Sequence, residues 1–183
     1  MRADERRPKR SEGVGARRGG LRAFCPGRRL DRFLSQYRNR FDAKGRISLP
    51  ATFRAILTRS GLEGVFLHPS LDAPALDGGG QGVIDEIQQM LDALAPYSRE
   101  REDLATALLS TGEILRLDSE GRMVLPERLR DAAELKDEAV FVGQGRKFQI
   151  WEPIRFASHL EAARERVRTL RSGLSIVFRE AGQ

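Results

Sequence analysis

Six cations gather around two short acid-glycine signatures in this 183-residue chain, and their types and spacing suit one chemistry: hydrogen bonding to the phosphates and base edges of nucleic acid. The first signature, Asp42-Ala-Lys44-Gly45-Arg46, carries Lys44 and Arg46 and follows Arg38 and Arg40 at alternating positions. With Asp42 as the one acid, residues 38–46 hold a local charge of +3. The second, Asp118-Ser-Glu120-Gly121-Arg122, is preceded by Arg116 but includes two acids, so its balance is zero. A guanidinium can bond guanine O6 and N7 in parallel, a pairing worth about 1–3 kcal/mol of discrimination. An ammonium serves a phosphate better, as a flexible point charge. Arg46 is therefore the candidate base contact and Lys44 the candidate phosphate contact. Arg38, Arg40 and Arg122 complete the candidate DNA-binding set, with the first copy expected to touch DNA and the second mostly to complete the fold. The competing reading is that Asp42 with Arg46, and Asp118 with Arg122, pair across their own turns. It weighs more for Arg122 than for Arg46, which has Arg40 and Lys44 beside it.

Catalytic chemistry has no comparable footing. The chain holds no G-x-S-x-G and no Walker A loop, and its acids are not arranged as a metal triad. One cysteine, Cys25, excludes an internal disulfide, and with only His68 and His159 besides it no zinc-ligand spacing exists. No catalytic residue, metal, cofactor or small-molecule substrate is expected. Gly78-Gly79-Gly80 invites a phosphate-loop reading, but the P-loop lysine and its Ser/Thr are missing and Asp77 would repel phosphate. A loop giving flexible entry to the next helix is expected there. No apolar run approaches the roughly 18 residues of a membrane span, so no membrane partner is expected, and a reducing cytoplasm fits the cysteine count.

The elements that must position these cations follow from a repeat. Phe41-Asp-Ala-Lys-Gly-Arg-Ile-Ser-Leu-Pro-Ala-Thr-Phe-Arg54 returns as Leu117-Asp-Ser-Glu-Gly-Arg-Met-Val-Leu-Pro-Glu-Arg-Leu-Arg130. Asp followed three residues later by Gly, between runs that favour strand, predicts a tight hairpin: the carboxylate accepts a backbone N–H two residues on, and the glycine takes positive φ. Asp42, Gly45, Asp118 and Gly121 are thus the turn-forming residues, and the cations sit at or near two hairpin tips. Pro50 and Pro126 fit the first position of a short helix. Apolar runs follow at Val65–Leu67 and at 139–142. Each copy reads strand, turn, strand, short helix, strand. A first strand over 33–41 places Arg38 and Arg40 on one face.

The boundaries that follow are 33–80 for the first repeat, 81–110 for a helical linker, 113–155 for the second repeat and 153–171 for a C-terminal helix. The linker carries a stripe of Ile84, Ile87, Leu91 and Leu94, then a second helix from Ser98 with Leu104 and Leu108 inward. Pro153 opens the last helix, with Phe156, Leu160, Ala163, Val167 and Leu170 on one face. The run Leu174–Phe178 has no assigned place.

The net charge of +6 is misleading, because residues 1–30 alone contribute +7 and the rest of the chain is −1. Any argument for nucleic acid must therefore be local. Residues 1–30 are rich in Arg and Gly and are expected to be disordered in isolation. They lack the apolar core of a secretory peptide. Two readings stay open: a basic arm adding phosphate affinity, or translated upstream sequence before a domain that opens at Leu30.

The paired Asp-x-x-Gly-Arg blocks, Tyr37-Arg-Asn-Arg-Phe-Asp-Ala-Lys-Gly-Arg-Ile-Ser-Leu-Pro, the Leu67-His-Pro-Ser-Leu step and Val142-Gly-Gln-Gly-Arg-Lys-Phe-Gln-Ile-Trp-Glu together resemble the MraZ family of bacterial transcriptional regulators over roughly residues 30–170. The resemblance implies an α+β chain built as a swapped-hairpin β-barrel, AbrB/MazE-like, formed by two internal repeats with helices after each. It also implies ring-shaped homo-oligomers that bind double-stranded DNA at repeated boxes upstream of the division and cell-wall gene cluster, and a cytoplasmic, nucleoid-associated location. An alternative on the same fold is a non-enzymatic protein-interaction module, an antitoxin-like barrel, since a fold does not fix a function.

Overall fold

Short runs that favour strand make the sheets, some alternating in burial and others buried throughout. The computed structural model describes residues 32–180, with side chains to residue 170; the expectations for residues 1–30 lie outside this range. The chain runs β1 (Gln36–Arg40), β2 (Arg46–Ser48), α1 (Ala51–Leu57), β3 (Val65–Pro69), β4 (Ala75–Gly79), α2 (Gln81–Asp92) and α3 (Arg99–Ala105). A π-helical turn, Thr106–Ser110, extends α3, followed by β5 (Glu113–Leu115), β6 (Arg122–Val124), α4 (Glu127–Ala132), β7 (Glu138–Gly143), β8 (Phe148–Trp151) and α5 (Pro153–Glu180). Pro50 and Pro126 sit one residue before their helices, as N-caps.

The result is a mixed α+β fold with antiparallel sheets. Six strands lie in the order β1-β7-β8-β4-β3-β5, and β2 pairs with β6 in a separate two-stranded ribbon. No closed barrel forms among the described residues. At Phe41 only an isolated bridge to Ile47 remains, and β2 leaves the sheet to pair across to the other half, Arg46 opposite Val124 and Ser48 opposite Arg122. The strand order reads the same when the sequence halves are exchanged: β1 pairs with β7 and β5 with β3, while β4 and β8 meet at the centre. Neither half therefore owns a sheet of its own, which agrees with the small size of each copy.

One face of the sheet carries the main core. Phe53 and Leu57 of α1 and Leu129 of α4 pack with Phe33, Leu67, Leu76, Phe141, Phe148 and Ile150, all buried. Phe33, Phe53 and Phe148 contact one another with ring centroids 5.1 Å apart in each pair, a spacing favourable for aromatic pairs. The opposite face holds two smaller apolar clusters: Phe66 under Val83, Ile87, Leu91 and Leu108, and Ala75, Val140 and Trp151 under Phe156 of α5. Within α2, Val83 is the residue buried one position before Ile84, which is half-buried.

The glycine run corrects the sequence reading. Ala75–Gly79 is a fully buried central strand, not a loop, and only Gly80 serves as the entry to α2. A methyl on Gly78 would press on Leu67 and Phe148, so glycine is present for close approach rather than for flexibility. Its neighbour Asp77 is buried in a satisfied polar network. Its carboxylate accepts from Lys147 Nζ at 2.7 Å and Gln149 Nε2 at 2.8 Å. Gln149 Oε1 in turn accepts from Trp151 Nε1 at 2.9 Å and Gln144 Nε2 at 2.8 Å.

Candidate nucleic-acid interface

Each tip is built by its aspartate. At the first, Asp42 N–H donates to the Arg46 carbonyl at 2.8 Å and Gly45 N–H to the Asp42 carbonyl at 2.9 Å. The Asp42 carboxylate Oδ1 accepts from the N–H groups of Lys44 and Arg46, both at 2.9 Å, while Oδ2 accepts from Arg46 Nε at 2.7 Å. The second tip repeats this bond for bond, with Asp118 in place of Asp42, Glu120 of Lys44 and Arg122 of Arg46. Gly45 and Gly121 close the turns at φ of 70° and 76°, in the left-handed region where a Cβ is costly. Several bonds to one carboxylate stabilise its charged form. The bond from the Arg46 backbone, and then that from its side chain, hold Asp42 at a pKa of about 2. Asp118 is lowered by the equivalent bonds from Arg122.

The cations divide into two groups. Arg38 and Arg40 do share a face, and both bind the single carboxylate of Glu138 across the β1–β7 pairing. Glu138 is held low in pKa by Arg40 first and Arg38 next. Arg46 is bonded to Asp42, with Asp118 of the neighbouring tip 3.8 Å from its Nη1. Arg122 pairs with Asp118 and with Glu120. Lys44 is exposed. Arg116, which sequence reasoning left out of the candidate set, is also exposed. It is the second-half counterpart of Arg40, yet continuing the β3–β5 register places Gly64, not an acid, opposite it. The pairing partners of these strands, which no local pattern encodes, are what distinguishes Arg116 from Arg40.

Because β2 pairs with β6, the two tips lie side by side and form one surface. At the tips themselves Lys44, Arg46 and Arg122 stand with Asp42, Asp118 and Glu120, while Arg38 and Arg40 of β1 share the one carboxylate of Glu138. This surface can offer guanidinium forks already oriented by carboxylates, with Lys44 and Arg116 as cations able to swing toward a phosphate. Among the described residues no cluster of His, Cys, Asp and Glu could hold a metal ion, and no helix is long and apolar enough to cross a membrane.

Comparison with known proteins gives a consistent picture. Residues 108–171 match the family described as "MraZ protein, putative antitoxin-like". The chain is 58% identical to the transcriptional regulator MraZ of Beijerinckia indica over 146 residues, spanning 80% of this chain and 89% of the relative. It is 54% identical to the protein of that name from Methylocella silvestris, with the same coverage. The one from Pelagibacter ubique is 39% identical over 142 residues, 78% of this chain and 92% of the relative.

Proposed function

The chain belongs to the MraZ family, and from that membership and the paired tips, the first of them basic, we propose that it is a DNA-binding transcriptional regulator. The observation that supports this most directly is the β2–β6 pairing, which brings the basic first tip against the second. Arg46 reads a base edge, Lys44 neutralises a phosphate, and Arg38, Arg40 and Arg122 bind alongside them. Aspartates at the tips act as orienting groups, since a carboxylate facing phosphate would repel it. The finer reading is a ring of subunits on repeated boxes upstream of the division and cell-wall gene cluster, in the cytoplasm at the nucleoid. Exchange of strands between the sequence halves is what a swapped-hairpin barrel requires, and closure of the two sheets into such a barrel belongs to the same proposal. One tip pair with so few cations binds weakly and loses affinity quickly with salt. A ring facing several boxes makes later contacts intramolecular and raises avidity by about 10²–10⁴.

The test is fluorescence anisotropy of the full chain on DNA from upstream of its own gene against scrambled DNA, across a salt series, for wild type and an Arg40→Ala, Lys44→Ala, Arg46→Ala triple variant. Specific binding by wild type that is lost in the variant supports the proposal. Equal binding to both DNAs, or none, favours the non-enzymatic protein-interaction module.

A further inference from the structure

We propose that Arg54 and Arg130 are crossed clamps: positioning residues through which each half of the chain fixes the hairpin tip of the other. Both close the repeated signature, eight residues after Arg46 and Arg122, and both lie on the short helices, Arg54 on α1 and Arg130 on α4. Each points away from its own tip. Arg54 Nη1 donates to the carbonyl of Glu120, inside the second turn. A methyl on Gly121 would overlap the Arg54 guanidinium. The glycine therefore serves the tip twice, by its φ and by the room it leaves for the arginine of the other half.

Arg130 is the counterpart at the first tip, where it acts by stacking rather than by a hydrogen bond to the turn. Its guanidinium lies 4.6 Å from the centroid of the Phe41 ring, the residue that opens that tip, in a cation–π arrangement. Its Nη1 is 3.7 Å from where a Gly45 methyl would stand, and its Nη2 donates to the Lys136 carbonyl at 3.0 Å. Arg130 Nε is buried with no hydrogen-bond partner. A buried donor left unmade calls for an explanation, and a side chain held in place to brace the tip supplies one. A lysine could not stack on the Phe41 ring as a plane. The tip that carries Lys44 and Arg46 is thus braced by a residue from the other sequence half. Its consequence for DNA reading rests on the DNA-binding proposal, whereas the clamp does not.

Hydrogen exchange read by mass spectrometry on the full chain separates the two. Arg54→Ala is expected to raise exchange at residues 118–122 roughly tenfold, as for loss of one hydrogen bond to a charged group, and to leave residues 42–46 unchanged. Arg130→Ala is expected to raise exchange at residues 42–46 through loss of the Phe41 stacking and to leave residues 118–122 unchanged, and β7 and β8 report that the core is intact. If an alanine variant fails to fold, Arg54→Lys and Arg130→Lys carry the test with the same crossed pattern. Exchange that rises equally at both tips, at the tip of the same half, or nowhere overturns the clamp. In the DNA titration, Arg130→Ala should lower the ratio of specific to scrambled affinity without changing the salt slope, because no phosphate contact is lost. A retained ratio overturns the consequence for DNA reading. A wild type with no DNA preference defeats the DNA-binding proposal while exchange still decides the clamp.

Discussion

Asp42 serves its tip as an acceptor first and as a charge second. Its carboxylate collects two backbone N–H groups and the Arg46 side chain, and protonation weakens all three bonds. Its folded pKa of about 2 lies below the ordinary 3.8. The sign follows from linkage: the contribution to tip order is complete above 3.8 and is lost as pH falls from there through about 2. Carboxyl-carbon NMR is expected to show Asp42 titrating near 2, and a midpoint near 3.8 would mean the bonds do not persist in solution. Asp42→Asn keeps an acceptor for the backbone but loses the one for Arg46 Nε. It should raise affinity for scrambled DNA, since a negative charge is gone, while lowering discrimination, since Arg46 is no longer oriented; anisotropy on both DNAs checks this. His68 titrates in the opposite compartment of the fold. It is buried against Phe66, and desolvation lowers its pKa below 6.5. The unfolded chain then binds a proton that the folded chain refuses, so stability falls as pH drops below 6.5. His68→Gln should flatten that slope in urea titrations between pH 7 and 5.

At the scale of elements, local chemistry was legible and partners were not. The two turns could be read because one carboxylate and one glycine at fixed spacing dictate their own hydrogen bonds. Ser98 could be read as the start of α3, and there it accepts from Arg101 N–H. Strand β4 could not, because glycine is a poor strand former and the reason for it lies in Leu67 and Phe148, eleven and seventy residues away. The same distance hides Glu138 from Arg38 and Arg40, and Glu120 from Arg54. Charge counting along the chain gave residues 38–46 an excess that Glu138 partly cancels in space. Gly78→Ala tests the tertiary explanation of β4. Adding one methyl in a packed core typically costs about 1–3 kcal/mol, and urea unfolding should show a loss in that range. A neutral substitution would mean that Leu67 and Phe148 give way freely.

The whole molecule is least complete along α5. The helix has 28 residues, about 42 Å at the standard rise, and among its described side chains Phe156 and Leu160, in the first two turns, join the apolar cluster on the sheet. The sequence stripe of Phe156, Leu160, Ala163, Val167 and Leu170 continues past the body of the domain, and Val167 and Leu170 are 53% and 64% exposed. Helical periodicity predicted which residues share a face, and the finite width of the sheet decides which of them are covered. An apolar stripe left open among the described residues is the natural surface for a subunit contact, so the ring proposal can be tested without DNA. A variant ending at Ala162 removes no buried side chain from the described core. Its unfolding free energy should stay within about 0.5 kcal/mol of wild type, while light scattering should show the assembly reduced to smaller species. Affinity for a single box should then survive, and the gain from several adjacent boxes, about 10²–10⁴, should disappear. An unchanged mass would remove α5 from the interface and leave the linker helices α2 and α3 to carry it.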